Sequence, residues 1–255
     1  MALPKWIKRT IDFFATIILW VYFTLGFLIL FAPLYCYSYF FSKNLEFSFQ
    51  KLNQRFFKSL FKVFLIITPG LSIHIDDEVY SIRSSVILCN HISYLDSILL
   101  VSLFEKQKTI VKTTFLKVPI FGWLVKRSGF LFQTAEETFT SSVVQGFENL
   151  ENYLLSEGNL FVFPEGTRSR DGEIGRLQKG AFNIAKRCRA PIQVLMIKNT
   201  NKLFGPGKWL LNTCVPNTIE VKRIMSIQPE YTSAYFSLHA LMEQVRQAFE
   251  LQRAP

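Results

Sequence analysis

The sequence predicts an α/β fold: a mostly parallel central sheet flanked by helices, set behind an N-terminal membrane-associated helical anchor. Three observations predict it. From residue 71 onward, short apolar or β-branched runs alternate with helix-length stretches, the pattern of buried parallel strands joined by crossover helices. Phe13 to Ser42 contains no charged side chain. Leu45 to Ile67 then carries its cations on one helical stripe.

The uncharged run comes first. A bilayer-spanning helix needs about 20 apolar residues, so a span is physically possible. The run is too long for the apolar region of a secretory signal. Pro33 is expected to kink or end the helix. In the next segment Lys51, Arg55, Lys58 and Lys62 recur every three or four residues, while Phe49, Leu52, Phe56, Leu60, Phe64 and Ile67 lie away from them. The expectation is a basic amphipathic helix lying in the membrane interface; the alternative is a core helix with a solvated cationic face. Cations flank the uncharged run on both sides, which gives a single span no preferred orientation. A re-entrant segment turning near Pro33 reconciles the two ends, and a single span is the alternative. Residues 1–69 are therefore expected to form the anchor and 70–255 a globular domain.

In that domain the expected strands are Leu71–Ile75, Ser85–Cys89, Thr109–Val111, Phe130–Phe132, Asn159–Phe163, Ile192–Ile197 and Thr218–Lys222. Helices are expected at Tyr94–Glu105, Ala135–Ser156, Gly180–Arg187 and Ser233–Leu251, and Asn199 to Asn217 reads as an irregular loop.

Composition narrows the class. Hydrophobic residues make up 49% of the 255, Phe alone occurs 26 times, and the formal net charge is +10. The cations flank or stripe apolar helices, so an anionic membrane surface is the expected partner and nucleic acid is not. The four cysteines (Cys36, Cys89, Cys188, Cys214) match no zinc or redox spacing, and no metal site is expected.

Two short segments carry the chemistry. Asn90-His91 follows the strand ending at Cys89, and Asp96 falls in the first turn of the next helix. A carboxylate beside an imidazole fixes its tautomer and stabilises the imidazolium, which makes His91 a competent general base. The alternative stays open: Ser93-x-x-Asp96 also fits a capping box, with Asp96 serving only the helix start. The second segment is Phe163-Pro164-Glu165-Gly166-Thr167-Arg168-Ser169-Arg170, in which Pro164 leaves the strand that ends at Phe163. It offers a carboxylate, a glycine turn and guanidinium groups that clasp phosphate. Parallel strands would bring both segments to one carboxyl edge of the sheet, where α/β proteins bind ligands.

These segments resemble the first and third signature blocks of the glycerolipid acyltransferases, the family of 1-acyl-sn-glycerol-3-phosphate acyltransferases. Lys112, Pro119, Gly122 and Gly129-Phe130-Leu131-Phe132 resemble the second block, Leu177-Gln178-Lys179-Gly180-Ala181-Phe182 the segment after the third, and Ala190-Pro191-Ile192-Gln193-Val194 a fourth. The second block usually ends in an arginine associated with the acceptor's phosphate; this chain reads Gln133-Thr134-Ala135-Glu136 there.

The resemblance implies an enzyme that moves a fatty acyl group from acyl-CoA or acyl-carrier protein to a lysophospholipid hydroxyl. The expected product is phosphatidic acid, formed from 1-acyl-glycerol-3-phosphate. His91 and Asp96 are the implied catalytic pair, and Asn90, Glu165, Gly166, Thr167, Arg168 and Lys179 the substrate-binding set. No cofactor is implied beyond the acyl-carrying co-substrate. The implied location is the cytoplasmic face of a membrane, as in a bacterial inner membrane. Another lysolipid acceptor, or a lipid hydrolase or thioesterase using the same pair on water, is the alternative.

Overall fold

A computed structural model describes residues 4–133, 149–169 and 172–252. Its sheet has seven strands in the order β1-β7-β6-β2-β5-β3-β4: β1 Leu71–Ile75, β2 Val86–Cys89, β3 Gln107–Lys112, β4 Leu131–Gln133, β5 Asn159–Val162, β6 Ile192–Lys198 and β7 Asn217–Ile227. All seven expected strands are present. The chain divides into two compact units, one of residues 1–75, 92–105 and 197–220, the other of 76–91, 106–196 and 221–255. This division cuts across the expected boundary at residues 69 and 70.

In the first unit one continuous helix runs from Lys5 to Phe41. It comprises α1 (Lys5–Val21), a π-helical stretch (Tyr22–Phe31) and α2 (Ala32–Phe41). The helix does not end at Pro33. The wider π turns before it move the carbonyls that its ring would otherwise strike, and Pro33 opens the next α-helical segment. The reversal lies instead at residues 42–44, where Asn44 caps α3 (Leu45–Ile67) by accepting from the Phe47 amide at 3.0 Å.

α3 returns along the long helix. Its Phe56 ring stacks on Tyr22 and meets Phe31 at 5.1 Å and Phe27 at 5.4 Å. Tyr22 Oη donates to Ser59 Oγ at 2.7 Å, and Tyr35 Oη to Asn53 Oδ1 at 2.5 Å. Phe49, Leu52, Phe56, Leu60 and Phe64 are therefore buried in protein. This corrects the expectation that the apolar face of α3 lies in a membrane interface: the long helix and α5 (Leu95–Leu103) pack in this unit with α3, whose Arg55, Lys58 and Lys62 are exposed. The long helix exposes many apolar side chains, including Phe14, Trp20, Ile29 and Phe40, and it is long and apolar enough to cross a membrane.

The stretch expected as an irregular loop contains a short helix, α9 (Thr200–Leu203), and is tied to the first helix. Asp12 Oδ1 accepts from both the amide and the hydroxyl of Thr213 at 2.7 Å, and Thr16 Oγ1 accepts from the Leu211 amide at 3.0 Å.

The second unit has its own core. Val86, Leu88, Leu160 and Val194 from the strands pack with Phe182 and Ala185 of α8 (Lys179–Arg187) and Val245 and Phe249 of α10 (Leu238–Leu251). It also contains α4 (Asp77–Tyr80) and α6 (Phe121–Arg127), which the sequence pattern did not disclose. The helix expected at Ala135–Ser156 is present as α7 over residues 149–155; its earlier part lies outside the described residues. β2 pairs in parallel with β5 (Val86↔Leu160, Leu88↔Val162) and with β6, and β5 pairs in parallel with β3.

Candidate active site

β2 and β5 are neighbours in register, so the residues that follow them leave the same edge of the sheet side by side. The strand interiors are buried apolar residues paired on both sides with neighbouring strands. The first polar residues beyond them are Asn90-His91 after one strand and, past Phe163-Pro164, Glu165 after the other. The expected convergence of the two segments is what the register produces.

The two segments are joined by their backbones as well. His91 N donates to Glu165 Oε1 at 3.1 Å, and Ser169 N donates to the His91 carbonyl at 2.8 Å. The His91 ring lies flat on Phe163, with centroids 4.0 Å apart and planes 16° apart. One imidazole face is thus covered by an apolar ring, and the half-buried residue keeps access to solvent.

Glu165 was expected to bind a head group. Its carboxylate is only 7% exposed and takes the His91 amide on one oxygen and the Gly175 amide, at 2.8 Å, on the other. It ties the turn after β5 to the backbone at His91 and at Gly175. Gly166 follows at φ +71, a conformation that other residues resist, and its amide closes the turn on Phe163 O at 3.0 Å. Gln178 N donates to Pro164 O at 2.7 Å, which sets the start of α8, and so the exposed Lys179, beside this turn. Thr167 is exposed and Arg168 half-buried. Asn90 is only 2% exposed. Arg170, and the Thr134–Glu136 stretch that departs from the family pattern, lie outside the described residues.

Asp96 belongs to the other unit, where it is completely buried. Its Oδ2 accepts from the amides of Ile92 and Ser93, both at 2.7 Å, and its Oδ1 from the Thr200 hydroxyl at 2.6 Å. Ser93 Oγ in turn accepts from the Leu95 amide and donates to Phe204 O. The capping pattern of Ser93 and Asp96 is therefore formed. It also holds rigid the two residues that directly follow His91 in the chain.

Sequence reasoning placed Phe163 at the head of the second segment without giving it a role, and it missed Gly175 as a partner of Glu165 and Thr200 as a partner of Asp96. Phe163 was legible as the last apolar residue before the turn. Thr200 stands 104 residues from Asp96 and carries no local signal. Cys188 is no nucleophile candidate: burial, reinforced by the Glu151 charge, pushes its thiol up to about 11.

Comparison with known proteins follows the same lines. A family model described as Acyltransferase matches residues 70–198. A chloroplast 1-acyl-sn-glycerol-3-phosphate acyltransferase of Brassica napus is 33% identical over 122 residues, covering 48% of this chain and 35% of that protein. The 1-acyl-sn-glycerol-3-phosphate acyltransferase of Saccharomyces cerevisiae is 31% identical over 169 residues, covering 64% of this chain and 54% of that protein. The chain thus spans about a third to a half of the length of these curated relatives. The crystal structure of PlsC, the 1-acyl-sn-glycerophosphate acyltransferase of Thermotoga maritima, superposes with a TM-score of 0.74 at 20% identity. That match covers 97% of this chain and 98% of PlsC, and it shows a shared fold.

Proposed function

The chain belongs to the acyltransferase family, and from that premise we propose that it transfers a fatty acyl group from a thioester donor to the free hydroxyl of a lysophospholipid. The proposed acceptor is 1-acyl-glycerol-3-phosphate and the product phosphatidic acid. The observation that carries the reading is the registered β2–β5 pair, which sets His91 and the Pro164–Arg168 turn at one sheet edge with the His91 amide bound to Glu165.

The proposed chemistry is direct transfer. His91 takes the proton of the acceptor hydroxyl as its oxygen attacks the thioester carbonyl. The tetrahedral intermediate collapses, the carbon–sulfur bond breaks, and the departing thiolate recovers the proton from the imidazolium. Asp96 supports the base by holding the chain directly after it. Thr167, Arg168 and Lys179 receive the phosphate of the head group, a role suited to one hydroxyl and two cations. The reaction needs no resident cofactor; acyl-CoA or acyl-carrier protein brings the acyl group. The long apolar helix embeds in the membrane, and the catalytic residues work at its cytoplasmic face.

Purified protein is tested with labelled acyl-CoA or acyl-carrier protein, with and without 1-acyl-glycerol-3-phosphate. Labelled phosphatidic acid that requires the acceptor supports the reading; free fatty acid released equally well without acceptor overturns it. His91→Ala is expected to lower kcat by about 10²- to 10⁴-fold, the range a general base supplies.

A further inference from the structure

The segment from Lys112 to Ile120 is exposed at every residue, although it is rich in apolar side chains. Phe115 is 43% exposed, Leu116 42%, Val118 45%, Ile120 54% and Trp123 39%. Such a cluster is unusual on a surface meant only for water.

It is not a loose loop. A 3₁₀ turn (Thr113–Lys117) packs on α6, with the Gly122 amide donating to Val118 O at 2.8 Å and the Phe115 and Phe121 rings meeting edge to face at 5.7 Å. Gly122 lies so close that an added Cβ would stand 2.4 Å from the Leu116 carbonyl oxygen. Ile120, a β-branched residue, is held at φ +63. The backbone is built to present these side chains outward.

Charge names the occupant. Lys112, Lys117, Lys126 and Arg127 surround the apolar residues and are exposed, and the sequence from Lys106 to Gln133 contains no acid. Aromatic and aliphatic tips framed by cations fit the interface of an anionic bilayer, where rings sit at headgroup level and lysines meet lipid phosphates. An acidic carrier protein would suit the cations but leaves the aliphatic tips without a reason. Position agrees. β3 runs parallel to β5, so the segment that follows Lys112 leaves the sheet at the same edge as His91 and Glu165.

We propose that Phe115–Trp123, framed by Lys112, Lys117, Lys126 and Arg127, is a second membrane-docking surface, separate from the N-terminal helix, which seats the His91 edge of the sheet against anionic lipid. The surface gives a lipid acceptor a path to His91 that stays out of bulk water. It is read by a measurement that needs no turnover, so its failure is distinct from failure of the transfer reaction.

Trp123 is the natural reporter. Trp6, Trp20 and Trp209 are 71%, 54% and 63% exposed and are replaced by Phe in the full chain. The protein is then reconstituted in phosphatidylcholine bilayers with or without phosphatidylglycerol, carrying lipids brominated along the acyl chain. The expected result is a blue-shifted Trp123 emission that brominated lipid quenches, more strongly with phosphatidylglycerol present. Leu116→Glu with Ile120→Glu should abolish the quenching while the protein still floats with the vesicles. Lys112→Gln with Lys117→Gln leaves the apolar contacts in place and should remove only the dependence on phosphatidylglycerol. Trp123 left unquenched in protein that floats overturns the proposal. So does emission that responds to added acyl-carrier protein and not to brominated lipid, which would assign the patch to a protein partner.

Discussion

Glu165 and Asp96 are both buried carboxylates that accept from backbone amides, and their isosteric amides separate two kinds of support. Glu165→Gln keeps one acceptor and turns an NH2 group toward either the His91 or the Gly175 amide. Two donors then face each other in a buried place, at a cost of about 1–3 kcal/mol. The expected outcome is a lower Tm in detergent together with reduced kcat, because the His91 backbone loses its tether. Asp96→Asn behaves differently. Its carbonyl still accepts from Ile92 and Ser93, and its NH2 finds the Thr200 hydroxyl, which rotates to accept. The fold should survive with little change in Tm. If Asp96 serves His91 by its charge, kcat falls by about 10²-fold or more nonetheless. If it serves only by holding the chain after His91, activity is retained and a role for its charge is ruled out.

At the scale of elements, the aromatic clamp around Phe56 holds α3 to the long helix. Its ring is 4% exposed and meets Tyr22, Phe23, Phe27 and Phe31. Phe56→Ala should cost about 3–5 kcal/mol, the range for emptying a large aromatic site. It should also speed proteolysis at residues 42–44, where the two helices join; unchanged Tm and cleavage would show that lipid, not this clamp, holds them together. The strands were legible because each is a short apolar run bounded by polar or turn residues, as Val86–Cys89 is before Asn90. α3 was legible as a helix, and its partner was not: an amphipathic stripe says that an apolar face needs covering, but not whether protein or lipid covers it. α9 was hidden because Gly205-Pro206-Gly207 close behind it carries a loop signal, and its binding to Asp96 is a contact across the sequence. In the candidate site, His91 and the glycine turn could be read from strand ends. The second amide on Glu165 could not, since it depends on how the chain returns at Gly175.

The whole molecule carries a net charge of +10, with a sequence pI of about 9.5, and its exposed apolar surface lies largely on the Lys5–Phe41 helix. These two features respond to salt in opposite ways. Screening shrinks the reach of charge from about 10 Å at 0.1 M to about 3 Å at 1 M. Apolar insertion of a long helix is not weakened by the same change. Flotation with vesicles should therefore persist at 1 M salt, and Lys51, Arg55, Lys58 and Lys62 all changed to Gln should still float. Capture of an anionic donor should not persist, because it draws on the positive field. The expected kcat/KM for acyl-CoA falls by about tenfold or more between low and high salt, an effect on encounter in which kcat changes little. A short neutral thioester run in parallel should show a flat profile. If acyl-CoA and the neutral thioester decline together, salt is acting on the acceptor or on the fold, and the positive field has no part in donor capture.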